Sequence, residues 1–303
     1  MLRAALVLAA SVAVGCATSE NGGAPGSRIG PSPEAGTLEA GRGDCASPPG
    51  GWEPGVDPPA YCVKEVSGSI QDVAGAGLSA VSVSVCGRAC FAATTDALGM
   101  FSIPVGAELP NGHYALFVHA RPTHASFLLP LPNAPPPRLA FQDPIVVSPF
   151  SAASARLPVD GGPASSVAVG PLRFDIPAGT GWQLSAEDGA DGESGRLVRF
   201  AKITGPRATE FAANAALVYA LAPFEAKADK PIAVRIEETG GLAAGAAVEL
   251  LAMGGLDLDT PETTGRARRA ARGHVSADGT HITTDPGEGI TILTWLAVRA
   301  LKM

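Results

Sequence analysis

The chain has 303 residues, with 22 Lys and Arg against 29 Asp and Glu, a formal net charge of −7, and many glycines (37) and prolines (27). An acidic surplus of this kind argues against nucleic acid or bulk anionic lipid as the main partner. The length leaves room for more than one folded core.

Arg3 opens a short basic region, and Ala4 to Gly15 is apolar apart from Ser11, which predicts an export leader over residues 1–15. The run is too short to cross a bilayer, which takes about 20 apolar residues, and no later stretch reaches that length without charge or proline. Ala13-Val14-Gly15-Cys16 resembles the lipobox of bacterial lipoproteins, with Ala13 where leucine is usual. The resemblance implies that Cys16 is acylated and becomes the mature N-terminus, so that a lipid holds the protein to a membrane. Ala17 stands where an inner-membrane retention signal would place aspartate, which favours the outer membrane, periplasmic or surface-facing. The competing reading is an ordinary secretory leader with a coincidental cysteine. Residues 16–43 are poor in large apolar side chains, so they predict a flexible tether rather than a folded element.

Helical periodicity is nearly absent after the leader, and many short apolar stretches lie between turn residues. The expected class is all-β, with two β-sandwich domains following the signal peptide and tether, over residues 44–150 and 165–303. Four cysteines remain in a compartment that permits disulfides, namely Cys45, Cys62, Cys86 and Cys90. Three pairings are open. Cys45 with Cys62 and Cys86 with Cys90 are favoured, because each closes a short, turn-rich loop. A metal or redox role for Cys86-Gly87-Arg88-Ala89-Cys90 is disfavoured by the lack of a nearby histidine and by a three-residue rather than two-residue gap.

In the first segment Val81, Val83 and Val85 alternate with serines at the two-residue period of a strand, and Phe101, Ile103 and Val105 do the same. Tyr114, Leu116 and Val118, then Phe127, Leu129 and Leu131, and finally Ile145 to Val147 continue the series. Val66-Ser67-Gly68-Ser69-Ile70, Gly77-Leu78 and Thr95-Asp96-Ala97-Leu98-Gly99-Met100-Phe101 resemble the carboxypeptidase regulatory-like (transthyretin-like) domain. The resemblance implies a non-catalytic β-sandwich module. In it Asp96 would cap its own turn, Gly99 would take positive φ and Phe101 would enter the core.

Ser148 to Pro163 is rich in Pro, Ala, Ser and Gly and predicts a linker, placed at residues 151–164. Beyond it Leu172, Phe174 and Ile176 alternate, as do Ile232, Val234 and Ile236, and Val248 and Leu250 flank Glu249. Asp278-Gly279, between Val275 and Ile282, signals a two-residue hairpin. The run from Gly273 to Ile290, ending at Trp295, resembles the C-terminal part of ZU5-like domains of bacterial surface proteins, with Pro223-Phe224-Glu225 and Pro231 to Val234 as preceding strands. Leu256 to Arg272 reads as an insertion or enlarged loop. The His-Phe-Ser self-cleavage motif is absent, so the resemblance implies no autoproteolysis.

No catalytic set emerges: the H-E-x-x-H and G-x-S-x-G signatures are missing, and no cofactor is implied. His119 and His124 are near enough in sequence to form a ligand pair, but strand-edge polar roles are favoured, and no metal site is assigned. Asp188, Asp191 and Glu193 form one acidic loop and Asp257, Asp259 and Glu262 another, with solvation favoured over calcium. Arg266, Arg268, Arg269 and Arg272 make a basic patch suited to phosphate or glycan groups, or simply to water. Trp52, Trp182 and Trp295 suit either sugar stacking or the core, and Trp295 sits in an apolar final strand. These observations lead to a non-catalytic envelope lipoprotein acting as an adhesion, scaffold or interaction module. The alternative is a carbohydrate- or peptide-binding accessory protein, and the partner, protein or glycan, is not specified.

Overall fold

A computed structural model describes residues 45–48, 58–256 and 263–301. Cys16, the leader, the tether, Trp52 and the acidic loop Asp257, Asp259 and Glu262 lie outside them.

The chain is all-β, and its alternating segments become strands where the periodicity places them. In the first half β1 (Ala60–Asp72) pairs antiparallel with β4 (Met100–Pro110), across a bulge between Val63 and Glu65. On the other side of β1 lie the short parallel strands β7 (Arg138–Ala140) and β8 (Ile145–Val147). A second sheet runs β3 (Cys90–Thr94), β2 (Ser82–Cys86), β5 (Ala115–His119), β6 (Phe127–Pro130). Phe101, Ile103 and Val105 of one sheet and Val83, Val85, Leu116 and Val118 of the other are buried in a common core, while the intervening serines stay wetter. The link between β3 and β4 is fixed locally. Asp96 Oδ1 accepts from the N–H groups of Leu98 at 2.8 Å and Met100 at 2.9 Å. Gly99 has φ +79°, and a side chain there would meet the Ile70 carbonyl oxygen at 2.3 Å, so the position needs glycine twice over.

Both favoured disulfides are present: Cys45 with Cys62 ties the incoming chain to β1, and Cys86 with Cys90 closes the β2–β3 hairpin.

The second half is a nearly closed sheet. Its strands are β9 (Ser154–Arg156), β10 (Ser165–Val169), β11 (Leu172–Ile176), β12 (Trp182–Gln183), β13 (Leu197–Lys202), β14 (Leu217–Ala222), β15 (Ala226–Ile236), β16 (Ala247–Met253), β17 (Ala267–Val275), β18 (Ile282–Thr284), β19 (Ile290–Leu293) and β20 (Trp295–Ala300). The main path runs β10-β11-β15-β18-β17-β16-β20-β14-β13-β9, with β12 and β19 also paired to β15. Tyr219, Ile232, Ile236, Leu250 and Val298 fill its interior. Two short helices, α1 (Ala186–Ala190) and α2 (Pro206–Phe211), lie in its connections.

Several expectations are corrected here. The Pro/Ala/Ser-rich stretch is not bare linker: Ser154–Arg156 pairs with β13, and Leu157 is buried. Much of the supposed enlarged loop is strand, because Ala267 to Arg272 pairs with β16. The Asp278-Gly279 turn joins β17 to β18 as expected, but it spans more than two residues. Gly279 N–H bonds to Ser276 O, and Ser276 N–H to His281 O beyond it.

The two halves share part of their core. One apolar cluster contains Phe101, Ile103 and Phe127 from the first half together with Phe211, Met253 and Trp295 from the second. The strands that meet the first half are buried on both faces. In β14, Leu217, Tyr219 and Leu221 point into the second-half interior, while Val218 and Ala220 point to the shared cluster. In β20, Leu296 and Val298 point inward, and Trp295 and Ala297 point to the cluster. Such strands read as continuous apolar runs rather than as alternation. Leu128, expected on a wet face of β6, is buried for the same reason, its N–H directed at the Met253 sulfur 3.4 Å away.

Candidate functional site

The seam between the halves gathers both the charged cluster and a large groove. The end of β5 and the turn after it supply His119 and Arg121, and the α1 region supplies Glu187, Asp188 and Asp191. Ser185 caps α1: its hydroxyl accepts from Asp188 N–H at 3.0 Å and donates to the Asp188 carboxylate at 2.9 Å. Arg121 meets Asp188 at 3.0 Å and Glu187 at 3.4 Å, and it also pairs with Asp191. His119 Nδ1 lies 2.8 Å from Glu187 and its ring stacks on Phe117 at 5.0 Å.

Burial pushes the His119 imidazole below its ordinary pKa, against the pull of Glu187 and with the help of Arg121. Burial raises Asp188 above the usual aspartate value, although Ser185 and Arg121 act in the opposite direction. The cavity beside these groups measures about 60 Å³. The ion pairs tie the end of β5 and the turn after it to the α1 region, so the cluster clamps the two halves together. His124 lines the same cavity as His119, and its Nδ1 lies 2.9 Å from the Thr123 hydroxyl.

The acidic loop considered for calcium is paired with arginines. Asp188 and Asp191 face Arg121, and Glu193 pairs with Arg156 at 2.6 Å. Among the described residues no group of three or more His, Cys, Asp or Glu is arranged to hold a metal ion. Arg266, Arg268, Arg269 and Arg272 are exposed on and just before β17. Trp295 is core, 3% exposed, and Trp182 is half-buried against the second-half interior.

On another part of the seam lies a groove of about 800 Å³. Its walls are β6 with the residues to Asn133, the segment Ala140 to Asp143, α2, and Gly265 to Ala267. Sequence reasoning did not find it, since its walls come from four separate stretches; only the unabsorbed Arg266 patch pointed there. No protein-family model matches the chain, and no curated protein matches it significantly.

Proposed function

We propose that the protein is a non-catalytic cell-envelope lipoprotein, held to the outer membrane through lipid on Cys16, whose β domains serve as an adhesion, scaffold or interaction module. The observation that carries the reading is the leader from Arg3 to Gly15 ending at Cys16. Two short-loop disulfides suit an exported protein. The Asp96–Phe101 step has the turn and buried phenylalanine expected of a carboxypeptidase regulatory-like module, and a ZU5-like second half is proposed on its sequence resemblance alone. The test is Cys16→Ser with the leader removed, which should leave the membrane fraction and carry no acyl group. Continued membrane retention would overturn the lipid anchor.

A second reading, a peptide-binding accessory protein, is favoured by the seam groove, whose volume falls in the range of about 300 to 1,000 Å³ usual for ligand sites. Binding by the purified protein to peptides, with no change in any added substrate, would support it over a purely structural scaffold.

A further inference from the structure

The groove on the seam has two features beyond its size. The first is an open strand edge. On either side of β7, Pro137 O accepts from Lys64 and Glu65, and Phe141 N–H donates to Ser67 O, so these alternate residues face β1. Arg138, Ala140 and Gln142 therefore direct their main-chain groups the other way. β7 ends its sheet path, and no described strand pairs with that side. Ala140 to Asp143 form one wall of the groove.

The second feature is unbalanced positive charge on the opposite wall. Arg207 is matched by Glu210 at 2.8 Å, but Arg266 has no ion-pair partner among the described residues. Arg269 is also exposed and without one, and it pairs in register with Leu251, which puts it on the same face as Ala267 of the groove wall. Asp143 is the one acid lining the groove that is not already matched to an arginine. Between the walls Leu129, Phe141 and Phe211 contribute apolar surface beside the polar groups. In a chain of net charge −7 this is a local reversal of sign.

We propose that the groove binds an extended peptide segment of alternating acidic and apolar side chains, which adds to the free edge of β7. The main chain of such a segment pairs with the outward groups of Ala140 and Gln142, displacing the long 3.5 Å contact from Gln142 Nε2 to the Ala140 carbonyl. Its two-residue period sends apolar side chains to Phe141 and Phe211 and carboxylates to Arg266 and Arg269. A lipid or a free anion would use the arginines and the apolar floor but would leave the strand edge unpaired. The inference rests on the interaction-module reading but not on the lipid anchor, so failure of the Cys16 test leaves it standing.

The experiment uses the purified full-length protein, solubilised in detergent where it carries lipid, and follows the fluorescence anisotropy of fluorescein-labelled peptides of alternating Glu and Val, and of alternating Lys and Val. The Glu–Val peptide is expected to saturate, and the Lys–Val peptide to bind at least about tenfold more weakly. Arg266→Glu with Arg269→Glu should weaken the Glu–Val peptide by about tenfold or more. Ala140→Pro removes only an outward N–H and should weaken it likewise. Should Ala140→Pro fail to fold, the exposed arginine pair still decides. Absence of saturable Glu–Val binding below about 1 mM, or equal affinity in the arginine variants, overturns the proposal. So does binding that survives in a folded Ala140→Pro protein unchanged.

Discussion

The indole N–H of Trp295, in the last strand, donates to the carbonyl of Ser126 at 3.0 Å, joining residues 169 positions apart across the two halves of the protein. The same ring packs on Phe127 at 5.3 Å and edge-on to Phe211 at 5.6 Å. Trp295→Ala should therefore cost about 3 to 5 kcal/mol, as for a buried aromatic removed from a packed core. Trp295→Phe keeps much of the packing but leaves the Ser126 carbonyl without its donor, at about 1 to 3 kcal/mol. Because the cluster is shared, both halves should lose stability together, in one urea transition seen equally by far-UV and near-UV circular dichroism. Two separated transitions, with only the second moved by Trp295→Ala, would show that the halves are energetically independent.

Much of the first half was legible because its determinants are local. The turn from Thr95 to Phe101 needs only a carboxylate, a glycine and an apolar residue at fixed offsets, and alternation marked β2, β4 and β5. Sequence reading went wrong where one element's environment is set by another. Leu217 to Ala222 lacks alternation because both faces are covered, and Leu128 is buried by Met253 from the far half. The clamp was illegible for the same reason. Arg121 finds its partner Glu187 at a separation of 66 residues, and nothing local to either residue signals it.

The two disulfides differ in the length of chain they close, 17 residues for Cys45–Cys62 and 4 for Cys86–Cys90. In the chain-entropy account, removing the first should cost about 3 kcal/mol and the second about 2 kcal/mol. Peptide mapping of the oxidised protein should recover both linked pairs. Denaturation of Cys45→Ser/Cys62→Ser and Cys86→Ser/Cys90→Ser proteins should then give the larger loss for the former. A reversed order would mean that the β2–β3 hairpin depends on its bridge for more than loop closure.

The clamp makes stability depend on pH through His119. Its folded pKa lies below the unfolded value, so as the pH falls through about 6.5 the unfolded chain takes up the proton first. Stability should drop over that window. Asp188 works the opposite way: its folded pKa lies above the unfolded value, and its contribution is present at lower pH and lost as the pH rises through the folded value. The groups facing them are Arg121, Glu187 and Asp191 together with the Phe117 ring. His119→Gln should flatten the decline in urea midpoint between about pH 7.5 and 5.5. An unchanged decline would assign the dependence to another group.

Glu225 offers a test of a buried carboxylate in the second half. It sits in the turn after Pro223 and Phe224 with φ +62°, and its Oε1 accepts from Leu256 N–H at 2.7 Å. Burial raises its pKa above the ordinary value of 4.5, while the Leu256 bond and the charge of Lys227 oppose the shift. A raised folded pKa means that the folded protein holds this proton more tightly than the unfolded chain. The corresponding stability is present below the ordinary glutamate range and is lost as the pH rises through the folded value. Glu225→Gln keeps an oxygen acceptor for Leu256 and removes the buried charge. It should therefore be more stable than the parent protein at about pH 8, with the advantage shrinking toward about pH 5 as the parent carboxyl takes up its proton. Glu225→Ala removes the acceptor as well and should cost about 1 to 3 kcal/mol through the unpaired Leu256 N–H. Urea denaturation of the three proteins at both pH values reads these differences. A Glu225→Gln protein that is equally destabilised at both pH values would mean that the charge itself holds the turn, and that burial is not what governs this carboxyl.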